Sequence, residues 1–214
     1  MKIKIFEFNL FGENTYVTFD EFSSEAAVID PGMMDKRECD EISSFISENK
    51  LKVKYLLNTH MHIDHVAGDE YIESRYGVGL SASSLDEPLA SRIAQQAQMF
   101  HLDVNVVGSV KIAHSLKNND RLWLGETPVD VLEVPGHSPG SLAFYFPENG
   151  FVITGDALFR QSIGRTDLPG GDFGTLVGSI KNNLMTLPPE TVVFPGHGPR
   201  TTIADEKRLN PYIR

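Results

Sequence analysis

Cys39 is the chain's only cysteine. That scarcity excludes an internal disulfide and a Cys-x-x-Cys metal or redox site, and it fits a reducing compartment such as the cytoplasm. Cys39 recurs at helical spacing with Ile42 and Ile46 and has no base beside it, so it reads as a small core residue and not as a nucleophile. Positive charge is the second shortage. Lys and Arg number 19 against 29 Asp and Glu, a formal net charge of -10. Such an acidic balance repels phosphate backbones and anionic bilayers, which argues against a nucleic-acid partner and against a membrane partner. Long apolar runs are missing too. No segment reaches the length of a membrane-spanning helix, and Met1-Lys2-Ile3-Lys4-Ile5-Phe6 alternates like a strand where a signal peptide needs an unbroken apolar stretch. Biased linkers and low-complexity tracts are absent, and 41% hydrophobic with 22% charged residues is ordinary globular composition. A length of 214 residues suits one well-buried core, so one domain over residues 1–214 is expected.

What is present is an alternation of short strand-like and helix-like stretches. Strand patterning covers Lys2–Phe8, Tyr16–Phe19, Ala26–Ile29, Val53–Leu57, Val129–Val134, Leu142–Phe146, Phe151–Thr154 and Val192–Phe194. Helical periodicity covers Asp35–Asn49, Asp64–Tyr76, Pro88–Phe100 and Phe173–Leu187. An internal echo links several of the strands. Val131-Leu132-Glu133-Val134-Pro135-Gly136-His137 and Val192-Val193-Phe194-Pro195-Gly196-His197 each run from apolar residues through Pro-Gly to His. Phe151-Val152-Ile153-Thr154-Gly155-Asp156 ends in Asp by the same logic, and Leu56-Leu57-Asn58-Thr59-His60 delivers another histidine. Four strands that each end in a tight turn and present a ligand-type residue point to one site along one sheet edge.

The densest chemistry lies in His60-Met61-His62-Ile63-Asp64-His65. In an extended loop, residues two apart project the same way, so His60 and His62 can grip one ion together. Asp64 and His65 fall where the chain turns into a helix and can aim at a second ion. With His137, Asp156 and His197 the set reaches seven nitrogen and oxygen donors, more than one ion uses, and it suits two divalent ions sharing a carboxylate. Imidazole and carboxylate without thiolate suit zinc, iron or manganese. His101 and His114 stand alone and read as ordinary surface or turn residues. Asp30, in Ile29-Asp30-Pro31-Gly32, fits two descriptions equally: a carboxylate that orients a ligand histidine, or an Asx turn.

The His-x-His-x-Asp-His loop, followed in order by His137, Asp156 and His197, resembles the metallo-β-lactamase superfamily from Asp30-Pro31-Gly32 through Pro195-Gly196-His197. The resemblance implies an α/β fold of the four-layer αββα type, with a dinuclear site at one edge of the paired sheets. It also implies a division of the donors: His60, His62 and His137 on the first metal, Asp64, His65 and His197 on the second, Asp156 between them. Secreted two-zinc β-lactamases place a cysteine near that step, whereas Asp156-Ala157-Leu158-Phe159-Arg160 and Gly164-Arg165-Thr166-Asp167 look like the short glyoxalase II-like (hydroxyacylglutathione hydrolase-like) proteins of bacteria. The implied activity is hydrolysis of a small-molecule S-acyl glutathione-type thioester, with two zinc ions first and iron or manganese as alternatives. A water shared by two ions would lose a proton near neutral pH and attack the carbonyl, with Asp64 as both ligand and hydrogen-bond partner. The C-terminal helical domain with which glyoxalase II contacts glutathione is not expected, since the chain ends soon after His197. Gly-Arg-Thr-Asp also occurs in persulfide dioxygenases of the superfamily, which use one iron, and that is the alternative activity. Arg165 has two readings, a clamp on a substrate carboxylate or a pairing with Asp167 or Asp172 that shapes its own loop.

Overall fold

The computed structural model describes residues 1–102 and 110–213. Two six-stranded sheets organise it. The first is ordered β1 (Lys2–Phe8), β2 (Glu13–Phe19), β3 (Glu25–Ile29), β4 (Lys52–Leu57), β5 (Leu80–Ala82) and β6 (His114–Ser115). β1 to β3 are antiparallel neighbours, whereas β3 to β6 run parallel and so need crossovers. Helix α1 (Lys36–Glu48) supplies the crossover from β3 to β4; α2 (Ile63–Val66) and α3 (Asp69–Tyr76) supply that from β4 to β5. α4 (Glu87–Ala90) and α5 (Ile93–Met99) follow β5.

The second sheet is ordered β14 (Thr201–Thr202), β13 (Val192–Pro195), β10 (Phe151–Gly155), β9 (Leu142–Phe146), β8 (Thr127–Glu133) and β7 (Arg121–Leu124). β11 (Leu158–Phe159) and β12 (Ser162–Ile163) make a small hairpin after β10; α6 (Phe173–Ser179) leads to β13, and α7 (Ile203–Leu209) follows β14. Because β8 and β10 are both antiparallel to β9, and β13 is parallel to β10, strands β8, β10 and β13 all finish at the same edge.

Side-chain alternation sets the layers. Ala27, Ile29 and Leu57 of the first sheet meet Val131, Phe144, Ile153 and Phe194 of the second in a shared buried layer. Their neighbours Ala26, Val28 and Leu56 point the other way, onto Ile42 and Ile46 of α1 and Ile72 of α3. Ala143, Val152 and Val193 likewise turn outward onto Leu176 of α6 and Ile203 of α7. Helices cover both outer faces, which is the expected αββα order.

Several boundaries differ from the sequence reading. The helix expected over Asp64–Tyr76 is divided between α2 and α3, because the Gly68 N–H leaves the helical pattern to donate to the Pro31 carbonyl at 2.7 Å. The helix expected over Pro88–Phe100 breaks between α4 and α5 at Ser91-Arg92. The one expected over Phe173–Leu187 is α-helical only to Ser179 and widens into a π turn at Ile180–Leu184. β2 starts at Glu13, earlier than expected, since Glu13, Asn14 and Thr15 are buried polar residues that hide the strand's alternation. The strands β5, β6, β7, β11, β12 and β14 and helix α7 have no counterpart in the sequence reading.

Candidate metal centre

The seven residues singled out by spacing meet at one edge of the sandwich. His60, His62, Asp64 and His65 follow β4, whereas His137, Asp156 and His197 follow β8, β10 and β13 of the other sheet. The turns are built for close approach. Gly136 has φ +125°, and a Cβ on it would collide with the backbone of Leu176; a Cβ on Gly196 would collide with the Asp156 carboxylate.

Donor atoms converge in overlapping triads, His60/His62/His137, His60/His65/Asp156 and Asp64/His65/His197, each with its atoms within 4.8 Å of one another. His62 Nδ1 lies 2.9 Å from His137 Nε2, and His65 Nε2 lies 3.3 Å from His197 Nε2. Asp156 sits between the two groups. Its Oδ2 is 3.6 Å from His137 Nε2, while Oδ1 is 3.4 Å from His65 Nε2 and 3.7 Å from His197 Nε2. Asp64 Oδ2 stands 3.1 Å from His197 Nε2.

In four of the five histidines the far ring nitrogen is tied to an acceptor, which fixes the tautomer and turns a lone pair inward. His137 Nδ1 donates to the Arg165 carbonyl at 2.8 Å and His197 Nδ1 to the Phe11 carbonyl at 3.2 Å. His65 Nδ1 donates to Asp30 Oδ2 at 3.0 Å. His60 Nδ1 donates to Thr59 Oγ1 at 3.0 Å, and that hydroxyl donates onward to Asp30 Oδ2 at 2.6 Å. Asp30 also accepts the Thr59 N–H through Oδ1 at 2.7 Å. Fully buried, it orients two of the histidines, which decides between its two sequence readings.

This geometry fits a metal. His60 Nε2 and Asp156 Oδ1 are buried without a hydrogen-bond partner, a costly state that a cation relieves. The facing nitrogens of His65 and His197 would oppose lone pair to lone pair if both rings were neutral. Charge balance without a metal follows the same logic. Burial pushes the Asp156 carboxyl up, yet the neighbouring histidines, His65 first, hold it far below the usual range. Asp64 is held low against burial by His65 and His197. Burial pulls His65 down, but Asp64, Asp156 and Asp30 more than reverse this and raise it well above an ordinary histidine. His197 rises too, against burial, through its bond to Asp64 and the charge of Asp156. His60 falls well below the ordinary value, chiefly by burial, and burial with His137 lowers His62 to about 4.

Arg165 lines the adjoining cavity, but its guanidinium makes two 2.7 Å bonds to Asp167, so the structure has the loop pairing. Its backbone is what touches the centre, through His137. His101 and His114 are exposed and stand apart from the donor cluster. Two supporting residues escaped the sequence reading. Buried Asp86 accepts from Met61 N–H at 3.2 Å, Ser138 Oγ at 2.7 Å and Gly140 N–H at 2.6 Å, tying the His60–His65 loop to the His137 turn. Gln96 accepts from Ile63 N–H at 3.0 Å and donates to the Met61 carbonyl at 3.1 Å. Neither belongs to a recognisable motif; Asp86, in Ser84-Leu85-Asp86-Glu87-Pro88, has the look of a loop acid.

The centre opens into a cavity of about 310 Å³ whose walls include Phe11, Leu89, Met99, Phe100, Leu168 and Pro169. The rings of Phe11 and Phe100 meet edge to face at 5.3 Å between centroids, joining the β1–β2 loop to the end of α5.

Fold and donor cluster together define a metallo-hydrolase, and residues 10–197 match the Metallo-beta-lactamase superfamily. The chain belongs to that superfamily. Among its relatives is the hydroxyacylglutathione hydrolase GloC of Haemophilus influenzae, 36% identical over 214 residues, which cover 100% of this chain and 98% of the relative. Among solved structures, TTHA1623 in a di-iron-bound form is 36% identical with a TM-score of 0.86, over 98% of this chain and 99% of that one. BLEG-1, a B3 metallo-beta-lactamase, is 30% identical with a TM-score of 0.84, over 99% of each chain. ETHE1 from Myxococcus xanthus is 28% identical with a TM-score of 0.79, over 99% of this chain and 84% of its own.

Proposed function

We propose that this protein is a dinuclear metallo-thioesterase that cleaves S-acyl glutathione-type thioesters. The observation that carries the reading is the Asp156 carboxylate, with one oxygen towards His137 and the other towards His65 and His197. That is the arrangement of a carboxylate shared by two ions. His60, His62 and His137 would hold one, Asp64, His65 and His197 the other, and zinc is the metal proposed. Divalent ions in such a site lower the pKa of water and polarise a carbonyl oxygen. Asp64, with an edge open to the cavity, orients the attacking water through a carboxylate oxygen. The apolar walls hold the thioester and keep bulk water from the reacting atoms. A thiolate leaves without help from a strong acid, so the reaction needs no neutral acid in the cavity. The likeness to GloC supports this substrate class.

Release of free thiol from a panel of thioesters by zinc-loaded protein tests the reading. S-lactoylglutathione should be cleaved and cephalosporins left intact; β-lactam opening without thioester cleavage would reverse the assignment. A second reading, an iron-dependent persulfide dioxygenase, draws on the iron in the TTHA1623 structure and on the likeness to ETHE1. Oxygen uptake with glutathione persulfide by the iron-loaded protein, with no thioester cleavage by the zinc form, would favour it.

A further inference from the structure

Arg92 and Arg165 contribute the guanidinium groups of the cavity that adjoins the centre. They differ in how they are engaged. Arg165 is neutralised by the two bonds to Asp167, whereas the Arg92 side chain has no hydrogen-bond or carboxylate partner among the described residues. Arg92 is exposed and occupies the N-cap position of α5, where it offers no side-chain cap. A cation at a helix N-terminus is also of the wrong sign for the helix, so α5 gains nothing from it there. Around it the wall is uncharged, formed by Leu89 one turn before, by the amides Gln95 and Gln96 along α5, and by Met99 and Phe100 at the far end of that helix. The carboxylates of the same cavity, Asp64 and Asp156, are engaged with the histidine cluster. A substrate that enters meets apolar surface, one uncommitted guanidinium and, at the bottom, the donor cluster.

We infer that Arg92 is the specificity-determining residue that grips a carboxylate on the thiol-carrier end of the substrate, and that the cavity therefore selects anionic thioesters. The inference rests on the thioesterase reading for its substrate class. The planar fork of Arg92 meets a carboxylate through paired N–H donors, a geometry that lysine does not reproduce. In an otherwise acidic molecule of formal net charge -10, such a contact supplies the local attraction that the overall charge denies.

Equilibrium binding separates this anchor from the hydrolysis it serves. The probe is S-methylglutathione, which has no bond to hydrolyse, compared with its dimethyl ester, and calorimetry on zinc-loaded protein gives the dissociation constants. Arg92→Gln should weaken S-methylglutathione by about ten-fold or more, Arg92→Lys should restore only part of this, and the ester should be unaffected by either. Arg165→Gln should leave both constants within about two-fold of wild type, a change too small for a lost charged contact. Unchanged binding in Arg92→Gln, a loss confined to Arg165→Gln, or no binding by the wild type would each overturn the inference. Arg92-dependent binding in a protein that cleaves no thioester would sink the thioesterase and leave the anchor standing.

Discussion

Asp30 is the residue on which the orientation of the centre depends most. It takes a left-handed backbone, φ +50°, which Asp and Asn tolerate better than other side chains, and one of its oxygens serves two donors at once. Asp30→Asn keeps shape and backbone preference but sets an NH2 group against either the Thr59 N–H or the His65 and Thr59 side-chain donors. Zinc affinity by competitive chelator titration should therefore fall about 10- to 100-fold, with little change in the circular dichroism spectrum. An unchanged affinity would mean that Asp30 serves the Pro31-Gly32 turn and not the histidines. Proton competition follows from the same residues. Without metal, His65 and His197 hold their protons to higher pH than ordinary histidines, while His62, at about 4, has none to lose near neutrality. An ion at Asp64/His65/His197 must expel those protons and so weakens first as pH falls. Dialysis from about pH 8 to about pH 5 should take the chain from two ions to one before the second leaves. Simultaneous loss of both would contradict the division of donors. The gathering of these seven residues at one edge was legible in the sequence because chemistry at strand ends is local: Pro-Gly-His and His-x-His need no distant partner to be recognised. The partners of Asp30, and the pairing of Arg165 with Asp167, are choices between local alternatives that only tertiary geometry makes.

At the level of elements, two loops from different sheets must hold one geometry, and short elements packed beside them do this. Asp86, from the turn before α4, bonds to both loops; Gln96, from α5, bonds to the His60–His65 loop on both sides of His62. Asp86→Ala strands two backbone N–H groups and takes one of its two partners from the buried Ser138 hydroxyl, and should cost about 2–4 kcal/mol in urea unfolding together with a loss of zinc affinity. Gln96→Ala leaves partly buried backbone groups and should cost about 1–3 kcal/mol, with zinc affinity lowered less than in Asp86→Ala. Normal stability with lowered affinity in both variants would mean that the loops are self-supporting. The longer strands and α1 were legible because alternation, or the helical recurrence of Cys39, Ile42 and Ile46, persists over several residues. Strands of two or three residues such as β5, β6 and β14 offer no period to detect, and the partners of β5 and β6 lie far away in sequence. The helix break at Gly68 is likewise imposed by a tertiary contact, the bond to the Pro31 carbonyl, against a continuous helical pattern.

For the molecule as a whole, the donor cluster lies where the sheets come together and draws on both: four residues follow β4 of the first, three follow β8, β10 and β13 of the second. An ion held by His60, His62 and His137 would bridge the sheets, and so would one held by Asp64, His65 and His197. Metal binding would thus act as a cross-link over the shared apolar layer of Ile29, Leu57, Phe144 and Ile153. Only the folded chain assembles these donors, so the binding free energy adds to the stability of the fold. At about 100 to 1,000 times the dissociation constant this amounts to about 2.7–4.1 kcal/mol. A chain of this size shifts its melting temperature by about 2–4 °C per kcal/mol. Chelation followed by dialysis should therefore lower the melting temperature by about 5–15 °C, and added zinc should restore it. Asp156→Ala decides whether the gain comes from this centre. Loss of the shared carboxylate loosens both ions at once, so the variant should gain almost nothing from zinc, while His101→Ala and His114→Ala, exposed and apart from the cluster, should gain as much as wild type. A zinc-induced rise that survives in Asp156→Ala would locate the stabilising metal elsewhere and remove the ground for a dinuclear centre at this edge.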